Sequence, residues 1–129
     1  MSSTSTDVNA HRGQVLAKLA GAVARLFHDR WGRGPRKCRA HWVGADALVV
    51  LVEGSRTVAE ETMRAGGREA QVLADRLTLQ ELLEADLRAL VEEKTGRTVW
   101  TFLSAARVEP DVAAELFLLE PATTDTGPP

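Results

Sequence analysis

Between Asp46 and Glu53 the chain carries six consecutive apolar residues, Ala47-Leu48-Val49-Val50-Leu51-Val52. Alternate side chains of a strand point to opposite faces, so a strand here is apolar on both. Such strands are normally central and covered on each side. The fold must therefore supply two covers, either from its own helices or from a second molecule.

The flanking segments read as the partners of this strand. Lys37–Val43 forms a second strand, joined to the first through the short turn Gly44-Ala45-Asp46, so the two make a hairpin. Cys38, Ala40 and Trp42 share one face of it, and Arg39, His41 and Val43 the other. Upstream, Val15, Leu16, Leu19, Ala20, Val23, Leu26 and Phe27 recur at three- and four-residue spacing, which predicts an amphipathic helix from Asn9 to Trp31. Gly32-Arg33-Gly34-Pro35 ends it, because glycine supplies a left-handed cap and proline cannot continue a helix.

Downstream, Thr57 followed by Glu60 fits a capping box that opens a short helix to Ala65. Gly66-Gly67 breaks it, and a long helix runs from Arg68 to Lys94 with Leu73, Leu77, Leu82, Leu83, Leu87, Leu90 and Val91 as its expected stripe. Thr98–Ala106 and Val112–Leu119 form the last two strands around Glu109-Pro110-Asp111. Trp100 and Phe102 are expected opposite Val99, Thr101 and Leu103, with apolar groups again on both faces.

These elements give an α+β domain. A two-layer architecture follows, with an antiparallel four-stranded sheet from two hairpins and the order α-β-β-α-α-β-β. A single domain is expected over residues 9–120, between disordered tails at 1–8 and 121–129, which are polar and aperiodic. Because the strands look apolar on both faces, a homodimer is expected, with Trp42, Trp100, Phe102 and Phe117 as self-association residues.

Composition narrows the functional classes. The single cysteine, Cys38, excludes an internal disulfide and a multi-cysteine zinc site. Neither a signal peptide nor an apolar stretch of the ~18–20 residues that span a bilayer is visible, so a cytoplasmic protein without membrane insertion is expected. The net charge of −2 argues against nucleic acid as a partner. That charge is unevenly placed: Arg25, Arg30, Arg33, Arg36, Lys37 and Arg39 are opposed only by Asp29, so this window carries +5 and the rest −7.

Most titratable groups read as unremarkable surface. His11 and His28 do not share a helical turn and His41 lies on a strand, so a zinc site with Asp29 would need convergence that the spacing does not provide. Cys38 and His41 point to opposite faces, which leaves Cys38 a structural thiol. Glu60-Glu61, Glu92-Glu93 and Glu81 with Glu84 read as solvated helix faces. Gly32-Arg33-Gly34 follows a helix and does not precede one, so it does not cradle phosphate. No cofactor or catalytic constellation is expected. The best binding candidates are Arg30, Arg33, Arg36, Lys37 and Arg39, which suit an anion, an acidic partner or an anionic surface.

Four segments in order resemble the MpsC-type family: Gly32–Pro35 after an amphipathic helix, Val49–Gly54 followed by Arg56–Glu60, Thr95–Val99, and Glu109–Pro121. The sequence departs from that pattern at Arg56, where leucine is commoner, and at Ala105-Ala106, where polar residues are common. The resemblance implies a soluble component of a sodium-translocating, membrane-potential-generating system, with a membrane transporter subunit as a partner. It supplies no catalytic residue. The expected function is a non-enzymatic, homodimeric accessory domain, and the alternative is an anion- or nucleic-acid-binding regulator using Arg25–Arg39.

Overall fold

The computed structural model describes residues 2–122 and has the expected order of three helices and four strands. Helix α1 covers Ser2–Trp31, and strands β1 (Lys37–Trp42) and β2 (Ala47–Glu53) follow. Helices α2 (Val58–Ala65) and α3 (Glu69–Thr95) come next, then β3 (Val99–Arg107) and β4 (Val112–Leu119). The first helix begins at Ser2 and not at Asn9, since no glycine or proline interrupts the chain before Gly13. The C-terminal tail expected from 121 lies outside the described residues beyond 122.

The caps are those the sequence encodes. Thr57 accepts from the Glu60 amide at 3.1 Å, while the Glu60 carboxylate accepts from the Thr57 amide at 2.9 Å. Gly96 ends α3 in the left-handed region, at φ 70°, and its amide donates to Glu92 O.

The strands form one antiparallel sheet in the order β1-β2-β4-β3. The second hairpin inserts its last strand beside β2, so β4 pairs with both β2 and β3. The α2–α3 crossover from β2 therefore reaches β3 at the far edge. Helices α1 and α3 pack against the sheet and against each other. Leu19, Val23 and Phe27 of α1 meet Leu83, Leu87 and Val91 of α3 over Leu48, Val50, Val52, Phe117 and Leu119 of the sheet.

Strand alternation then assigns the opposite face. Val49 and Leu51 of β2, Ala114, Leu116 and Leu118 of β4, and Leu103 and Ala105 of β3 project away from the core, because their neighbours in each strand fill it. No described element covers that side. The sheet is thus two-layered, with one apolar face open.

This placement corrects most of the expected self-association residues. Phe117 is 0% exposed in the core, and Phe102 stacks on it with ring centroids 5.0 Å apart. Trp42 shares the helix-facing side of β1 with Ala40; its Nε1 donates to Arg12 O at 3.3 Å, and the Arg12 guanidinium lies 4.5 Å over its ring. Only Trp100 stays exposed, at 58%. A bulge between Val99 and Thr101 leaves it without a cross-strand partner and breaks the simple alternation expected for Trp100 and Phe102. The aromatics are the larger apolar groups and fill the core, which leaves aliphatic residues to line the open face.

Candidate functional site

Three features carry chemistry: the open face, a buried ionic network under α2, and an open cleft beside it. The network begins at the capping box. Glu60, whose first task is to close α2, also accepts from Arg76 Nε at 2.9 Å and Trp31 Nε1 at 3.2 Å. Arg76 is 3% exposed and donates through Nη1 to Asp111 at 2.8 Å. Asp111 takes a further hydrogen bond from the Arg56 amide at 2.8 Å. One guanidinium thus ties the end of α1, the start of α2, the middle of α3 and the β3–β4 turn.

Burial works to raise the Glu60 carboxyl, but hydrogen bonds from Arg76, the Thr57 amide and Trp31 outweigh it and hold it below the ordinary range. Burial likewise works to lower Arg76, and Glu60 and Asp111 reverse the direction. The network stays ionised and acts as a structural clamp. Reading Glu60 as part of a solvated face missed this role. Arg76 was hidden as well, because a cation inside an amphipathic stripe reads as a gap.

The cleft, of about 840 Å³, lies between the start of α2, the end of β2 and the β3–β4 turn. Its acidic groups are largely engaged. Glu61 and Glu109 pair with Arg56 at 2.9 and 3.1 Å, and Asp111 with Arg76. Arg56 therefore joins α2 to the β3–β4 turn. Arg33 reaches the Arg56 carbonyl at 2.9 Å, and Arg36 lies across Gly54. A Cβ at Gly54 would sit 2.5 Å from Arg36 Nε and 2.9 Å from Arg36 Cβ, and its φ of 72° also favours glycine.

The basic window is dispersed over different surfaces. Arg30 pairs with Asp86 of α3 at 3.2 Å, Arg33 and Arg36 line the cleft, and Arg39 pairs with Glu53 at 3.0 Å. Lys37 and Arg39 belong to the open-face side of β1. The His28 ring pairs with the neighbouring Asp29 at 3.4 Å, and no group of metal-binding His, Cys, Asp or Glu occurs among the described residues. Burial pushes the Cys38 thiol up to about 11, away from the reactive thiolate.

The last buried charge faces the helices from β4. Glu115 is 0% exposed and accepts from Gln80 Nε2 at 2.7 Å. Burial pushes its carboxyl up to about 7, and the hydrogen bond from Gln80 pulls the other way. Ser104 Oγ, Glu115 Oε2 and Gln80 Oε1 have no hydrogen-bond partner among the described residues.

A family model described as the Na+-translocating membrane potential-generating system (MpsC) matches residues 11–121. The chain belongs to the MpsC family. No curated protein and no solved structure matches it. The matched span takes in most of α1 and every later element, so the family relationship covers the clamp, the cleft and the open face together. No described helix of this MpsC domain is long and apolar enough to cross a membrane.

Proposed function

We propose that this MpsC-family domain is a non-enzymatic, cytoplasmic accessory subunit of a sodium-translocating, membrane-potential-generating system, and that it works as a homodimer. The open sheet face carries this reading. Leu103 is 55% exposed there, among Val49, Leu51, Leu116 and Leu118. Contiguous apolar surface of this kind marks an association site. The cluster of Glu60, Arg76 and Asp111, by contrast, is engaged within itself.

Two measurements test the proposal. Light scattering at micromolar concentration should give a dimer, and Leu116→Lys, which places a charge at the centre of the face, should give a folded monomer. A monomeric wild type would refute the dimer. Cells lacking the gene should lose sodium-dependent membrane potential, restored by the wild type but not by Leu116→Lys. An unchanged potential on deletion would refute the transport link.

A second reading, anion binding in the cleft, is favoured by Arg36, whose guanidinium has no ionic partner among the described residues. Binding of inorganic phosphate that weakens with salt and is lost in Arg33→Ala/Arg36→Ala would support it. Equal binding by that variant would exclude the cleft.

A further inference from the structure

The open face is electrically polar along its strands. At one end stand Lys37, Arg39 and Arg107, with Glu53 as the single acid, an excess of two positive charges. At the other end Glu120, two residues past Leu118 on the same side of the sheet, supplies one negative charge, whereas Asp46, opposite the core residue Leu119, is on the helix side and is held by Arg97. Between the ends the face is aliphatic on β2 and β4, with His41 of β1 and Thr101 of β3 beside it.

That pattern restricts how a second copy can sit. Two identical faces meet through a two-fold axis lying between the sheets. An axis parallel to the strands superposes equal ends and sets Lys37 of one copy over Arg107 of the other. An axis perpendicular to the strands exchanges the ends: Arg107 then approaches Glu120 of the partner subunit, and Lys37 no longer lies over Arg107 of the partner subunit. The first arrangement brings like charges together; the second brings opposite charges together.

Resting on the homodimer proposed above, we infer that two copies pack face to face through a two-fold axis perpendicular to their strands, each basic end over the acidic end of its partner. The aliphatic side chains then form a second core between sheets ~10 Å apart. Four strands ~4.8 Å apart and about seven residues long give a face of roughly 450 Å² in projection. Side-chain relief, the rims and Trp100 add to this, toward the ~800 Å² per partner of a standard interface.

Charge reversal tests the geometry, because Arg107 and Glu120 are exposed and their side chains make no ion pair among the described residues. Arg107→Glu and Glu120→Arg should each raise the dimer dissociation constant roughly tenfold at low ionic strength, since each change is felt twice by symmetry. The double variant should return to within about threefold of wild type, and circular dichroism should show that all three fold. Single variants that dimerise like wild type, or a double variant no tighter than the singles, would overturn the perpendicular axis and leave the dimer standing. A wild type that stays monomeric, whether or not it binds anionic vesicles, would overturn both.

Discussion

Replacing Glu115 with glutamine should stabilise the domain at pH 8 and change little at pH 4. The side chain is 0% exposed, so its charged form loses hydration that the single hydrogen bond from Gln80 only partly replaces. Burial moves the carboxyl from 4.5 to about 7 in the folded state. Below the unfolded value both states hold the proton, and the group costs nothing. Between the two values the unfolded chain ionises while the folded one keeps its proton, so stability falls as pH rises. Above the folded value both are ionised and the deficit is constant. A difference of about 2.5 units at ~1.36 kcal/mol each gives a deficit of roughly 3 kcal/mol at pH 8. Glutamine keeps the shape and removes the titration.

Urea unfolding of both proteins at each pH from 4 to 8 measures the difference directly. Groups that titrate elsewhere are common to both and cancel. On the buried stripe of α3 the charge next to Gln80 is Arg76, one turn away, and it stays occupied by Glu60 and Asp111. The gap in unfolding free energy should open between pH 4.5 and 7 and then level off. A gap that is constant from pH 5 to 8 would refute the reasoning, since it would mean that Glu115 ionises equally easily folded and unfolded.

The other two stability predictions use the same assay. Arg76→Ala strands two carboxylates that are each 13% exposed and should cost about 3–5 kcal/mol at pH 7. Its deficit should shrink toward pH 4: the Glu60 stabilisation, present above the unfolded value, is lost in wild type as pH falls through the depressed folded one. A deficit that does not vary with pH would count against the clamp. Gly54→Ala should cost about 1–2 kcal/mol from its left-handed backbone alone and more from the approach of Arg36, read as a lower urea midpoint; an unchanged midpoint would refute it.

The element order was legible because its signals are local. Glycine and proline mark every break, and the Thr57–Glu60 pair announces its own helix start. What was not legible depends on which of two apolar faces turns inward. In β4 the sets Ala113, Glu115, Phe117, Leu119 and Val112, Ala114, Leu116, Leu118 are both largely apolar, so alternation alone does not choose between them. The structure buries the set containing the carboxylate, because it also contains the phenylalanine. Helix α3 makes the same kind of choice: its buried stripe is Val72, Arg76, Gln80, Leu83, Leu87 and Val91, while Leu77 and Leu82 stay exposed. A stripe chosen to maximise leucines excludes the two polar residues that do the tethering. The three- and four-residue spacing from Val72 through Arg76 and Gln80 to Leu83 and Leu87 was the available signal.

The cleft and the open face are related through the sheet. Glu53, Gly54 and the β3–β4 turn line the cleft, and they lie at the same end of the strands as Lys37 and Arg107. A perpendicular two-fold axis would place this end of one copy over the opposite end of the other. The dimer would then carry its two arginine clefts at its two far ends, with the apolar surface sealed between them. In that arrangement the sheet face serves assembly and the clefts are the surfaces left for a second partner. Arg33→Ala/Arg36→Ala should therefore abolish any cleft-dependent binding while leaving the molecular mass a dimer, and Leu116→Lys should split the dimer while leaving each cleft its affinity. Loss of both properties in either variant would mean that the two surfaces are one.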